Sequence, residues 1–243
     1  MQKIIRRQLI KLYSYFNKDP YSRAFFYHDL HDSSAYTEMS TSVDLFTKHI
    51  NTARSLGYSI VPDIDNDKMQ IEISFDDGFL GLFKNIEVIN SLSIPIRLFI
   101  VTSYIWKKNY LNIKQLVELA NNPLISIASH THTHRPLTQL DYFEIKNELQ
   151  DSKKILSDII GMEINCLCYP LGMFSKKISI IAKDLGYTKQ YSSVPGNFKD
   201  DIFPDVKRRS LVQHARDKEF LSIIKGGDKF LSYWYLNKHC RWS

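Results

Sequence analysis

The stretch IEISFDDGFL, residues 71–80, places two adjacent carboxylates and a glycine directly after an apolar strand pattern. Asp76 and Asp77 repel each other, and Gly78 ends the strand. Folding gains nothing evident from this pair, whereas a bound cation or a reaction would explain it. The groups that complete such a site must come from other parts of the chain.

Segments on both sides of this stretch alternate between strand and helix patterns, which is typical of an α/β fold with parallel strands. The predicted strands cover residues 24–30, 69–75, 94–101, 124–129, 164–170, 187–193 and 208–213. The predicted helices cover residues 42–57, 79–93, 112–121, 141–161 and 175–186. This order predicts a closed or nearly closed barrel, a distorted (β/α)7-type TIM-like barrel, with its chemistry at the carboxyl ends of the strands.

Length and composition fit one barrel of this size. The chain has 243 residues, of which 44% are hydrophobic and 13% aromatic, enough for a large core. A net charge of +6 would suit an anionic substrate or surface, but no nucleic-acid-binding module is recognised. Three cysteines are too few, and odd in number, for a disulfide framework.

Both ends of the chain differ from the predicted barrel, which we place at residues 24–225. Residues 1–23 contain an amphipathic helix that either packs on the barrel or lies, as a basic helix, on an anionic membrane surface. Residues 226–243 are aromatic and basic, and we expect a last helix on the barrel or an interface. No export signal is recognised, so we expect a cytoplasmic protein, possibly at the inner face of the membrane.

Polar groups follow four of the predicted strands and would therefore meet at one rim of the barrel. They are His28; Asp76 and Asp77; His130, His132 and His134; and Tyr169, Pro170 and Gly172. His130 and His134 are four residues apart, so a tight loop or helical turn could aim both imidazoles at one ion. Two imidazoles and one carboxylate suit a catalytic Zn²⁺ with an open position, although Ni²⁺, Co²⁺ or Fe²⁺ fits the same ligands.

The motifs SFDDGF, SHTHTH and YPLG resemble, in order and spacing, those of the NodB-homology polysaccharide deacetylases, carbohydrate esterase family 4. The opening strand, in FYHDLH, is similar to that of the branch related to poly-N-acetylglucosamine deacetylases. The resemblance covers residues 24 to 225. It implies the NodB-homology fold, an N-acetylated carbohydrate as substrate and a divalent metal as cofactor.

The resemblance also implies a role for each candidate residue. Asp77, His130 and His134 would bind the metal, and Asp76 would be the general base. His28 would be the general acid, with His214 as a rival because the acid histidine of most family members lies near the C-terminus. The backbone N–H of Tyr169 would stabilise the oxyanion, in a loop shaped by Pro170 and Gly172.

The sequence departs from the family's pattern at the position two residues before the YPLG proline. Most members have an arginine there that pairs with the base, whereas this chain has Cys168. Arg208, a candidate for binding substrate, or Arg209 could substitute from the last predicted strand; alternatively both belong to a solvated basic edge. Arg97 either caps the barrel or meets an acidic substrate group, and Trp106 either stacks on a sugar ring or packs.

These features predict a metal-dependent N-deacetylase that acts on an amino sugar of a surface polysaccharide or its precursor. An O-acetyl esterase would use the same site, with weaker dependence on His28 because an alkoxide leaves more easily than an amine. A catalytically inactive sugar-binding protein is the alternative of another class. The sequence predicts neither the sugar nor the oligomeric state.

Overall fold

The structure is a computed structural model that describes residues 2–16, 20–203 and 205–241. Side chains are described for residues 5–16, 20–203 and 205–240. The predictions for residues 1–23 and 226–243 therefore fall partly outside the described residues, at Met1, Asn17 to Asp19, Trp242 and Ser243, and for the side chain of Ile4.

Helices and strands alternate along the chain. The α-helices are α1 (Gln2–Phe16), α2 (Val43–Ser55), α3 (Leu80–Lys84), α4 (Ile86–Leu92), α5 (Ile113–Ala120), α6 (Tyr142–Ile160), α7 (Lys176–Asp184), α8 (Asp217–Ile224) and α9 (Ser232–His239). The strands are β1 (Arg23–Tyr27), β2 (Asp29–His31), β3 (Ser40–Ser42), β4 (Ser59–Ile60), β5 (Gln70–Phe75), β6 (Ile96–Ile100), β7 (Ile125–Ser129), β8 (Cys166–Cys168), β9 (Phe174–Ser175), β10 (Lys189–Tyr191), β11 (Val206–Lys207), β12 (Ser210–Leu211) and β13 (Cys240–Arg241). Short 3₁₀ turns cover Thr102–Tyr104, Leu137–Gln139, Pro170–Gly172 and Lys229–Leu231.

The main sheet is parallel and curls into a barrel. In the described part of the chain its strands follow the order β11-β10-β8-β7-β6-β5-β1-β12, and β4 adds to β5. β11 pairs with one edge of the sheet and β12 with the other, and Arg208 and Arg209 alone separate these two strands. The segment 206–211 thus acts as a seventh, broken strand that joins both edges, which confirms the predicted distorted barrel.

Side chains alternate in direction along each strand, so the sheet has one apolar layer facing the helices and another inside the barrel. In β5, Ile71, Ile73 and Phe75 belong to the large core between the sheet and the helices. Glu72 and Ser74 point the opposite way, into the barrel, where Glu72 meets Arg97 and Ser74 meets Arg209. The interior holds a small apolar cluster: Ala24, Phe99, Ala128, Cys166, Cys168, Tyr191 and Phe198.

Arg97 lies inside the barrel, so of its two predicted roles the structure shows the structural one. Its guanidinium donates hydrogen bonds to Glu72, Tyr191 and Asp63. Glu72 and Arg97 lie near the amino ends of β5 and β6, and the hydroxyl of Tyr191 donates to Glu72 there, away from the end of β5 that carries the two adjacent aspartates. Arg97 therefore closes the lower end of the barrel and does not contact the predicted site.

Two predicted elements differ in the structure. The predicted helix 79–93 breaks at Asn85, whose side-chain amide donates to the carbonyls of Leu30 and Gly81 and so separates α3 from α4. Helix α1 does pack on the protein, but through Ile10 and Ser14. Four other apolar residues of this amphipathic helix, Ile5, Leu9, Leu12 and Phe16, are exposed.

Candidate active site

The backbone turns at the end of β5 and splits the two adjacent aspartates. Asp77 has a left-handed φ of 74°, and the N–H of Gly78 donates to the Asp76 carbonyl at 3.0 Å. Asp76 continues the row of inward-facing residues, whereas Asp77 turns toward the loop after β7. Both side chains are buried, so each carboxylate needs a partner that offsets the loss of water.

Arg209 is the partner of Asp76. Its Nη1 and Nη2 atoms lie 2.8 and 2.9 Å from the two carboxylate oxygens, a bidentate geometry. Nη2 also donates to the Sγ atom of Cys168 at 2.7 Å. The cysteine thus stands where the family's arginine is expected, and Arg209 brings a guanidinium to the same carboxylate from the segment between β11 and β12.

Arg208 lies elsewhere, although the sequence offered it as a candidate for substrate binding. Its Nε and Nη1 atoms donate to the carbonyls of Asp200 and Pro195, in the loop before β11. Adjacent residues in an extended segment point to opposite faces, so only one of the two arginines can enter the barrel. The structure therefore does not bring Arg208 into the site.

The ion pair divides the charge between the two aspartates. Burial opposes ionisation of Asp76, but Arg209 outweighs burial and lowers the pKa of Asp76 to about 2. Burial, followed by the negative charge of Asp76, raises the pKa of Asp77 to about 7. Asp76 is therefore a stable anion, while Asp77 needs a further positive charge to be one.

His130 and His134 face Asp77 from the loop after β7. Their Nε2 atoms lie 3.5 and 3.4 Å from Oδ1 of Asp77. The Nδ1 atom of His130 lies 2.9 Å from the carbonyl oxygen of Cys168, which can only accept, so Nδ1 carries the proton and Nε2 offers a lone pair. Burial lowers the pKa of His130 to about 3 and also lowers the pKa of His134, so both rings are neutral.

These three residues fit a divalent metal. Their ligand atoms lie within 4.8 Å of one another, and Oδ1 of Asp77 is buried without a hydrogen-bond partner. A second group, Asp76, His130 and Cys168, is equally compact, but Arg209 already occupies Asp76 and Cys168 with a positive charge. One carboxylate and two neutral imidazoles leave a coordination position open, as in catalytic zinc sites.

His132, between the two candidate ligands, points away from them. Its Nδ1 atom lies 2.8 Å from the Thr102 hydroxyl, and its N–H donates to Glu148 at 3.0 Å. The buried carboxylate of Glu148 also accepts from the N–H of Thr133. Glu148, on α6, thus holds the loop so that His132 faces away from His130 and His134.

His28 enters the same site from the end of β1. Phe26 pairs with Leu211 across the β1–β12 ladder, so His28 lies level with Gln213. The Nδ1 atom of His28 is 2.5 Å from Oε1 of Gln213, which accepts the Nδ1 proton and leaves Nε2 available. Burial lowers the pKa of His28, whereas Asp76 and Gln213 act in the opposite direction.

The rival histidine, His214, is exposed and lines a different cavity, beside α1 and α8. The structure therefore places His28, and not His214, at the candidate site. Gln213 is a residue of the site that the sequence motifs do not predict. The signal that could have found it is its position just after the strand that pairs with β1, level with His28.

The predicted use of the Tyr169 N–H conflicts with the structure. That N–H donates to the carbonyl of Tyr191 at 3.1 Å and so extends the β8–β10 pairing. Residue 170 is proline, so the next N–H along this loop belongs to Leu171, which has a left-handed φ of 55°. Leu171 lines the candidate site and is not among the residues that the sequence predicts there.

One cavity of about 110 Å³ joins these groups. It is lined by Phe26, His28, Met39, Asp76, Asp77, His130, His134, Tyr169, Leu171, Gly172, Ser193 and Arg209. Pockets for whole small molecules usually measure about 300–1,000 Å³, so this cavity has room for a small group and not for a whole sugar ring. Trp106 and Pro170 are not among the lining residues: Trp106 is exposed, and the side chain of Pro170 is buried.

Residues 63–189, more than half of the chain, match the family described as polysaccharide deacetylase. The chain belongs to the polysaccharide deacetylase family. The matched residues include Asp76, Asp77, His130 and His134, whereas His28 and Arg209 lie outside the matched range. A relative named as a polysaccharide deacetylase, YxkH of Bacillus subtilis, is 28% identical over 125 residues, which are 51% of this chain and 44% of YxkH.

Several solved structures share the fold. IcaB from Ammonifex degensii has a TM-score of 0.74 at 16% identity, covering 87% of this chain and 98% of that one. The polysaccharide deacetylase BC0361 from Bacillus cereus has a TM-score of 0.73 at 21% identity, covering 84% and 69%. The Streptococcus pyogenes deacetylase PplD, solved in complex with acetate, has a TM-score of 0.73 at 19% identity, covering 83% and 96%.

The geometry predicts that the protein binds one Zn²⁺ through Asp77, His130 and His134. We expect Asp77→Asn or His130→Ala to lower the zinc affinity at least 100-fold, because each removes one of three ligands. The matched control is His132→Ala, which leaves the three ligands in place. Calorimetric titration of the metal-free protein measures the affinity; equal zinc binding by His130→Ala and the wild type would contradict the site.

Proposed function

We propose that this protein is a metal-dependent hydrolase that removes an N-acetyl group from an amino sugar of a surface polysaccharide or its precursor. The observation that carries the proposal is one acetyl-sized cavity that contains an ionised carboxylate, a candidate metal site and an orientated histidine. Membership of the polysaccharide deacetylase family supports the substrate class.

Asp76 is the proposed general base. Arg209 keeps its pKa at about 2, so the side chain is a carboxylate at neutral pH and can accept a proton from water. The same pairing makes Asp76 a weak base, and a cation beside it is needed to make the water more acidic. A bound Zn²⁺ would supply that effect and would also polarise the acetyl carbonyl.

The N–H of Leu171 is the proposed donor to the oxyanion, in place of that of Tyr169. Leu171 lines the cavity, and the Pro170–Gly172 turn brings its peptide to the side opposite β5. One preorganised donor of this kind can stabilise a transition state by about 3 kcal/mol. Gly172 fits this turn because its φ is 67° and a Cβ atom there would lie 1.7 Å from Oγ of Ser193.

His28 is the proposed general acid. Gln213 accepts the Nδ1 proton, so the Nε2 atom of the protonated ring can give its proton to the departing amine. An amine leaves poorly without such a proton, and a placed imidazole therefore matters most for an amide substrate. This arrangement favours N-deacetylation over O-deacetylation, and the complete set of polar groups argues against an inactive sugar-binding protein.

Acetate release from N-acetylhexosamine oligomers and nucleotide sugars tests the activity. We expect release by the zinc-loaded wild type and a loss of at least 100-fold in Asp76→Asn, because a positioned base contributes about 10²–10⁴-fold. Treatment with a chelator should abolish release, and added Zn²⁺, Co²⁺ or Ni²⁺ should restore it. The absence of acetate from every acetamido sugar with every metal would favour the sugar-binding alternative.

Comparison of amide and ester substrates tests whether the enzyme cleaves an N-acetyl or an O-acetyl group. His28→Ala should lower the turnover of an N-acetyl sugar about 100-fold and that of the matching O-acetyl sugar much less, because only the amine needs a proton to leave. His214→Ala is the matched control and should leave both rates unchanged. Equal losses on the two substrates would remove the argument for the amide.

A further inference from the structure

Helix α1 has two apolar faces, only one of which is covered. Ile10 and Ser14 are buried against α8 and the turn after it, where a Cβ at Gly227 would meet the Ile10 carbonyl at 2.4 Å. Arg7 fixes the helix further through an ion pair with Glu219 at 2.8 Å. The opposite face therefore points away from the barrel on a helix that is firmly attached.

That outer face carries an apolar stripe at spacings of four, three and four residues. The stripe consists of Ile5, Leu9, Leu12 and Phe16, which are 52%, 44%, 59% and 76% exposed. Exposed large apolar side chains elsewhere in the described chain stand singly or in pairs, which is normal for a soluble surface. Four in line on one helix mark a contact surface.

Positive charge accompanies the stripe along the groove between α1 and α8. The groove is lined by Lys11, Lys218 and Lys225 beside Leu12 and Tyr15. Toward its other end Arg216 adds a cation. The carboxylate of Glu219 is nearly buried and already paired with Arg7, so Asp217 is the exposed acid that lines this part of the groove.

We propose that this surface of α1 docks the protein on an anionic lipid bilayer. The stripe would enter the boundary between headgroups and acyl chains, while Lys11, Lys218 and Lys225 would meet lipid phosphates. A second copy of the chain fits the surface less well, because a two-fold contact would bring the same lysines together. No helix of the described residues is long and apolar enough to cross a membrane.

Sedimentation of the full chain with lipid vesicles tests this surface. We expect binding to phosphatidylcholine vesicles that contain phosphatidylglycerol, and weak binding to phosphatidylcholine alone. The variant Leu9→Ser/Leu12→Ser/Phe16→Ser should bind at least tenfold more weakly, because it loses most of the apolar stripe. A matched variant, Trp106→Ser/Phe143→Ser/Ile180→Ser, removes equally exposed apolar side chains from other places and should bind like the wild type.

Two results would overturn the proposal. One is equal vesicle binding by the stripe variant and the matched control. The other is a wild type that binds no vesicles but forms a dimer that the stripe variant abolishes, which would assign the surface to a second copy. The variant Lys11→Glu/Lys218→Glu should weaken binding to the anionic vesicles and should not change binding to phosphatidylcholine vesicles. Cell fractionation tests separately whether the protein lies at the inner face of the membrane.

A second, independent observation concerns the C-terminal segment. Helix α9 leads into β13, which pairs in parallel with β9 directly after the Pro170–Gly172 turn. At the end of α9, the Nδ1 atom of His239 donates to the carbonyl of Leu171 at 2.9 Å. The ring of His239 also stacks on Tyr235, with centroids 5.4 Å apart and planes inclined by 12°.

We infer that His239 is a positioning residue for the Leu171 peptide, an inference that rests on the proposed role of the Leu171 N–H. On its other side the turn lies against Ser193, which leaves no room for a Cβ atom at Gly172. Leu171 adopts a left-handed backbone that is unfavourable for a leucine, and the hydrogen bond from His239 helps to maintain it. The C-terminal segment would thus fix the direction of the oxyanion donor.

His239→Leu and His239→Asn test this inference together. We expect kcat to fall about tenfold in the leucine variant with KM within twofold, and asparagine, which keeps a donor, to recover most of the loss. Zinc affinity should not change in either variant. Equal losses in both variants, or a loss confined to KM, would overturn the inference.

Amide hydrogen exchange of the Pro170–Phe174 segment separates this inference from the proposed function. His239→Leu should accelerate exchange in this segment, whereas Lys238→Leu on the same helix should not. If the wild type releases no acetate, the proposed function is refuted. If His239→Leu still accelerates exchange in that case, the positioning role of His239 stands. Unchanged exchange in His239→Leu would refute that role.

Discussion

The buried ion pair between Arg209 and Asp76 is the constraint on which the rest of the site depends. Two adjacent carboxylates cannot both be ionised in a buried cavity unless positive charge is supplied. Arg209 supplies it to Asp76 through a bidentate contact, and this leaves Asp77 as the group that still lacks a counter-charge. One guanidinium thus decides which aspartate can act as a base and which is left for a cation.

The closing segment of the barrel also supports the chemistry. Residues 206–213 contain the two short strands that join both edges of the sheet, and the same segment provides Arg209 and Gln213. Arg209 reaches Asp76 on β5, while Gln213 reaches His28 after β1. The segment that closes the barrel therefore also completes the site. It brings together residues about 130 to 185 positions apart in the chain.

The sequence predicts which residues of the site lie at strand ends. It does not predict which of two adjacent side chains faces the site, or which backbone N–H is already hydrogen-bonded. The meeting of the two aspartates with His130 and His134 follows from the rule that parallel strands end at one rim, whereas the choice of Asp77 as the ligand is implied by the family resemblance. The sequence cannot separate Arg208 from Arg209, because which of them faces inward depends on strand register. The Tyr169 N–H is a similar case: its pairing with Tyr191 is invisible until the sheet is assembled.

The shortness of the closing strands has a consequence for how the protein responds to heat. β11 and β12 each contain two residues, so few ladder hydrogen bonds hold this joint compared with β5 or β6. Segments with so little pairing open locally at a lower free energy than the whole fold. Such an opening would withdraw Arg209 and Gln213 together, so the proposed activity would be lost reversibly while most of the barrel remains native.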